Sequence, residues 1–133
     1  MRELEEMLRR AAAARRNAHA PYSGFQVGVC LRSADGTLFT GCNVENASYP
    51  EGACAETAAI GAMVAAGGRR IAEVLVLAEG ERLCTPCGGC RQRLAEFAGP
   101  DTPVHVAGPE GLRQTFALGE LLPAAFALDP EES

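Results

Sequence analysis

Two short cysteine patterns constrain this chain most: Cys54-Ala55-Glu56 and, further along, Pro86-Cys87-Gly88-Gly89-Cys90. Cys87 and Cys90 are spaced to share one face near the start of a helix. Cys54 opens another helix, and its side chain should lean toward that helix's N-terminal end. If the thiols act together, the fold must bring two helix starts face to face, with three sulfurs around one ion. Soft thiolates suit zinc, and three of them leave a fourth tetrahedral position for water, with Glu56 in the same first turn as Cys54. A structural zinc site fills all four positions with protein ligands, so three sulfurs and a nearby carboxylate point to chemistry. Helix dipoles aimed at the site would lower the thiol pKa values and offset part of the gathered negative charge.

Spacing alone leaves other uses of these cysteines open. Cys84-x-x-Cys87-x-x-Cys90 resembles part of an iron–sulfur run, although the next position in that pattern is Leu94. Cys84 and Cys87 could form a redox pair. Cys54, Cys84, Cys87 and Cys90 could close a four-sulfur zinc site. Cys30 and Cys42 fall in expected strands and read as buried, inert thiols. His19 and His105, the only histidines, have no ligand spacing and read as structural or surface residues.

The chain's 133 residues suit one domain that buries its apolar surface without staples, the final residues 129–133 being a frayed tail. A net charge of −5 argues against a nucleic-acid partner, which needs a basic face. No stretch approaches a membrane span, and the charged N-terminus lacks the apolar run of a signal peptide. A cytoplasmic setting with reduced cysteines is expected, and a scaffold of three disulfides is disfavoured.

Residues from about Arg2 to Ala18 have helical spacing with one apolar stripe of Leu4, Met7, Leu8, Ala11, Ala12 and Ala14. Phe25 to Leu31 reads as a strand, and the Asp35-Gly36 turn predicts a hairpin to a second strand over Leu38 to Cys42. Asn43 to Gly52 reads as a loop. Cys54 to Ala66 is apolar on nearly every side, so its helix should be buried all round, inside the domain or against another subunit. The continuous apolar run Ile71 to Ala78 predicts a strand covered on both faces. Pro86 suits the first turn of a helix from about Cys87 to Phe97. Short strands at Thr102–Ala107 and Leu112–Phe116 and a helical turn at Leu118–Leu122 follow. This order gives an α/β fold in three layers, a mixed sheet with an initial antiparallel hairpin, helices over it, and parallel strands linked through helices.

Cys54-x-Glu56 with Pro86-Cys87-x-x-Cys90 matches the cysteine form of the nucleobase-deaminase signature. Around it, Pro21-Tyr-Ser-Gly-Phe25-Gln-Val-Gly28, Gly41-Cys-Asn43-Val-Glu45-Asn46-Ala47-Ser-Tyr49, Cys87-Gly-Gly-Cys-Arg-Gln92 and Glu120-Leu-Leu-Pro-Ala-Ala-Phe126 fall in the order seen in the small homotetrameric zinc-dependent cytidine deaminases. The chain resembles that family over nearly its whole length.

The resemblance implies that Cys54, Cys87 and Cys90 hold one zinc ion per subunit. It implies hydrolytic deamination of cytidine and 2′-deoxycytidine to the uridines, within pyrimidine salvage. Zinc-bound hydroxide would attack C4, with Glu56 carrying protons. Asn43 and Glu45 resemble ribose contacts, and a carboxylate there would repel a phosphate, favouring a free nucleoside over a polynucleotide. Phe25 resembles the aromatic lining of the base pocket, and Ala55, between the first ligand and the shuttle, is expected to contact the substrate. In such tetramers the sites are shared: Ala47 and Tyr49 resemble residues supplied by a neighbour, and Phe126 an aromatic packed over the base. One departure stands beside the carboxylate. Many members have arginine after the Glu, hydrogen-bonding the thiolates, where this chain has Thr57. Compensation is then expected from the helix ends, with help from Arg91. Two other readings are a deaminase of a cytosine nucleoside analogue such as blasticidin S, and a non-catalytic zinc-stabilised binding protein.

Overall fold

A computed structural model describes residues 2–128, so the tail expected to fray lies outside the described residues. The strands are β1 (Val27–Ser33), β2 (Leu38–Cys42), β3 (Ile71–Ala78), β4 (Pro103–Gly108) and β5 (Gly111–Ala117), and the helices α1 (Arg2–Arg16), α2 (Ala55–Ala65), α3 (Gly88–Phe97) and α4 (Leu118–Leu121). The apolar run 71–78 becomes β3, in the centre of one sheet of order β2-β1-β3-β4-β5. The hairpin β1–β2 is antiparallel, as are β1–β3 and β4–β5, while β3 and β4 are parallel. The sheet is mixed, as the sequence leads one to expect.

Helices cover both faces. α1 lays Met7 and Ala11 against Cys30, Leu75, Leu77 and Ala107 on one side. α2 and α3 lie on the other, with Ala59, Ile60, Met63 and Leu94 packed on Val29, Leu31, Val74, Val76 and Val104. Burying both faces of β3 is what its unbroken apolar sequence requires.

The structure differs from the sequence expectation at the start of β1, and at α2 it excludes one of the two expected settings, burial wholly inside the domain. β1 begins at Val27 rather than Phe25, because the groups of Phe25 and Gln26 are satisfied outside the ladder. Phe25 N–H donates to Ser23 Oγ at 3.0 Å, its carbonyl accepts from Asn43 Nδ2 at 2.9 Å, and the Gln26 carbonyl accepts from Arg15 Nε at 3.0 Å. α2 is not buried all round within this chain. Ala55, Glu56, Ala59, Ile60 and Met63 are buried, whereas Gly61, Ala62 and Ala65 are exposed, since only one side of the helix meets the sheet.

The topology brings the cysteines together. β2 and β3 both run antiparallel to β1, so their C-terminal ends lie at the same edge of the sheet. Each then feeds a helix on the same face, and the starts of α2 and α3 are brought to that edge, where open α/β sheets place their sites. Gly41 sets how closely α2 can lie on β2. A Cβ there would come 2.4 Å from Ala59 N and 2.5 Å from Ala55 O, both backbone atoms of α2.

Candidate active site

Cys54 is the N-cap of α2 and Cys87 the N-cap of α3, with Cys90 in the first turn of α3. Their three sulfurs lie within 4.8 Å of one another, and among the described residues no further His, Cys, Asp or Glu joins the cluster. Cys54 and Cys87 sulfurs are 4.0 Å apart, close to the about 3.8 Å edge of a tetrahedron with zinc–sulfur bonds near 2.3 Å. Cys84 stays outside the cluster. A closed four-cysteine site is therefore not formed, and all six cysteines are free.

The thiols are unequal. Cys90 is buried, and burial followed by the charge of Glu56 pushes its thiol far up. Cys54 is also raised, mainly by burial. Cys87 is lowered, chiefly because the Cys90 backbone N–H faces its sulfur, although the contact falls short of a full capping hydrogen bond. Three thiols this close cannot all ionise without a cation among them, so the donor set fits a soft dication. Burial also holds the Glu56 carboxyl above the ordinary range, opposed by its own backbone N–H, Cys90 and the charge of Arg93. At 5% exposure, Glu56 is the one acidic side chain among the described buried residues, and it sits in the first turn of α2. Burial likewise raises the nearby Cys84 thiol, with the Glu56 charge adding to it.

Arg91 does not reach the sulfurs. Its guanidinium donates to Pro86 O at 2.6 Å, Leu121 O at 2.8 Å and Thr85 Oγ1 at 3.0 Å, which ties the α3 start to the α4 end. The cation that does reach a sulfur is Arg93, with Nη1 3.9 Å from Cys90 Sγ. Arg93 was not singled out in the sequence.

A cavity of about 510 Å³ opens beside Cys54, lined by Tyr22, Ser23, Asn43, Val44, Glu45, Asn46, Tyr49, Gly52 and Ala53. Three expected substrate residues, Asn43, Glu45 and Tyr49, thus meet one expected metal ligand. Asn43 and Glu45 also shape the cavity wall. Asn43 Oδ1 accepts Val27 N–H at 2.8 Å while Nδ2 reaches the Phe25 carbonyl. Glu45 accepts the N–H groups of Tyr22 and Ser23 at 3.0 and 3.1 Å and also the Ser23 hydroxyl. Its carboxyl is lowered by the Ser23 hydroxyl above all.

Ala55 is buried at the head of α2. Phe25 and Ala47 are exposed and do not line the cavity. Phe126 is also not gathered here: it borders a separate cavity of about 540 Å³ beyond α3 and α4, and its carbonyl accepts from Gln92 Nε2 at 2.9 Å. Tyr22 and Ser23 were missed as wall residues. Their signal was present in the Pro21–Gly28 motif, but only the Glu45 contact shows what the turn does.

The family model described as "Cytidine and deoxycytidylate deaminase zinc-binding region" matches residues 1–106, which include all three sulfurs and Glu56. The chain belongs to this family. It is a zinc-dependent enzyme of the deaminase class, with one zinc ion per subunit, and the three-cysteine cluster is a donor set that could hold that ion. A cytidine deaminase of Halalkalibacterium halodurans is 40% identical over 123 residues, spanning 92% of this chain and 93% of its own. One from Mycobacterium tuberculosis is 41% identical over 120 residues, spanning 90% and 86%. The crystal structure of cytidine deaminase from Burkholderia pseudomallei matches with a TM-score of 0.87 at 42% identity, covering 92% of this chain and 98% of that one. The expected family, fold class and metal are thereby established.

Proposed function

We propose that this protein, as a single deaminase domain over residues 1–133, deaminates cytidine and 2′-deoxycytidine hydrolytically, releasing ammonia and the corresponding uridine. The observation that carries the reading is the three-sulfur cluster, with no fourth protein ligand among the described residues, beside buried Glu56 and with Cys54 on the wall of a cavity of about 510 Å³, within the range of small-molecule sites. Zinc held by Cys54, Cys87 and Cys90 supplies Lewis acidity that brings a water proton within reach of removal near neutral pH.

Glu56 is placed for the proton work. Its carboxylate takes the water proton and delivers it to the ring N3, then takes the proton of the new C4 hydroxyl and passes it to the departing amine as the C4–N bond breaks, four transfers that one buried group can make in turn. Burial keeps bulk water from competing for those protons. Asn43 and Glu45 present an amide and a carboxylate at the cavity wall for the sugar hydroxyls, and Glu45 disfavours a phosphate there. Phe25, Ala55, Ala47, Tyr49 and Phe126 complete the substrate surface, some of them from neighbouring chains in an assembled homo-oligomer. A cytoplasmic place in pyrimidine salvage fits a free-nucleoside substrate.

The deciding experiment is the ultraviolet change on incubating the purified protein with cytidine, with zinc quantified in the same sample. Turnover of cytidine at one zinc per chain is expected. A zinc-loaded protein that leaves cytidine and deoxycytidine untouched overturns the proposal.

A further inference from the structure

The charges at the site do not balance without another cation. Three thiolates and the Glu56 carboxylate place four negative charges around a dication, which leaves two uncompensated. The N-termini of α2 and α3 face the site, and each offers roughly half a positive charge. About one negative charge remains. The residue after Glu56 is Thr57, which carries none, and Arg91 spends its guanidinium on two carbonyls and a hydroxyl.

Arg93 reaches in from the cleft between α2 and α3 and directs Nη1 at Cys90 Sγ, 3.9 Å away. Its guanidinium lies across the first turn of α3, in the space left by Gly89. A Cβ at position 89 would stand 3.2 Å from Nη1 and 3.9 Å from Cζ. Cys90 is the most buried of the three ligands and so the one whose charge water screens least.

Resting on the deaminase reading above, we propose that Arg93 is a positioning residue of the zinc site. It stabilises the Cys90 thiolate by charge and hydrogen bond, and Gly89 makes room for it. Arg93 touches neither substrate nor reacting atoms and acts through the sulfur. Drawing electron density from that sulfur leaves the zinc a stronger Lewis acid.

The test uses the holoenzyme and its cobalt(II)-substituted form, comparing wild type with Arg93→Gln and Arg93→Lys. Without the cation the sulfur lone pair rises in energy, so the thiolate-to-cobalt charge-transfer band of Arg93→Gln is expected to move to longer wavelength. Its kcat on cytidine is expected to fall roughly tenfold with KM unchanged, while Arg93→Lys stays near wild type in both readouts. A band and a kcat that match wild type in Arg93→Gln overturn the proposal, as does a loss that appears in KM alone. A wild-type protein inactive on cytidine whose band still shifts in Arg93→Gln refutes the substrate reading and leaves the role of Arg93 standing.

Discussion

Arginine placement shows how little separates two side chains that spacing treats alike. Arg91 lies four residues after Cys87 and Arg93 three after Cys90, so both are helical neighbours of a ligand. Only one reaches a sulfur, because the Pro86 and Leu121 carbonyls and the Thr85 hydroxyl capture the other. Glu56 was easier to read. A carboxylate in the first turn of a helix headed by a metal ligand has few other uses, and burial then raises its pKa. Glu56→Gln keeps the volume and removes the proposed proton carrier. It is expected to retain one zinc per chain by metal analysis while cytidine turnover falls by roughly 10²- to 10⁴-fold. Loss of zinc together with activity would mean that Glu56 is holding the site together rather than moving protons.

Among the elements, α2 depends on Gly41 of β2. The helix backbone occupies the space a side chain at position 41 would need, and neither Ala55 nor Ala59 can turn aside, because the close atoms are main chain. Gly41→Ala must lift the first turn of α2, and with it Cys54 and Glu56. The expected cost is about 3 kcal/mol in chemical denaturation, accompanied by easier loss of zinc to a chelator. A variant as stable as wild type that holds its zinc equally well would show that α2 is not anchored there. The sequence placed this glycine in a motif but could not say that its partner is a helix start, since that contact exists only once β2 and α2 are folded together.

At the scale of the whole molecule, one polar cluster links four strands. Glu73 of β3 accepts two hydrogen bonds from Arg32 of β1 at 2.8 and 2.9 Å, and pairs with His105 of β4, whose other ring nitrogen meets Thr115 of β5 at 2.8 Å. Burial raises the Glu73 carboxyl, but Arg32 and His105 outweigh it, and the group lies below its ordinary value of 4.5. A carboxyl lowered in the folded state contributes stability that is fully present above its unfolded pKa and is lost as pH falls through the folded one. Glu73→Gln is therefore expected to cost on the order of 1–2 kcal/mol at pH 7, a modest value because solvent reaches the cluster. The gap to wild type should narrow as the solution is acidified below 4.5. Denaturation curves that keep the same gap at pH 7 and pH 3 would exclude this account.

Assembly belongs to the same scale. Tyr49 and Phe126 are 77% and 68% exposed, and the small residues Gly61, Ala62 and Ala65 leave the outer side of α2 uncovered. Together they support the proposed homo-oligomer with shared sites, which the family resemblance expects to hold four chains. Sedimentation should give the mass of four chains, and Ala62→Arg a smaller species with lower activity. A fully active monomer would refute the shared site.

The sequence alone determined the local terms: which segments alternate or run apolar, where helices begin, and which residue types can bind zinc and carry a proton. β2 and β3 form with the expected bounds, and the three clustered cysteines were legible because their spacing falls at helix starts. Tertiary structure decided what depends on distance between remote segments. It left Cys84 out of the cluster, tied Glu45 to the turn at Tyr22 and Ser23, left one side of α2 uncovered, and turned Arg93 rather than Arg91 toward a sulfur. Spacing along one helix or strand follows from backbone geometry, whereas the choice between equivalent partners is made only when two elements pack.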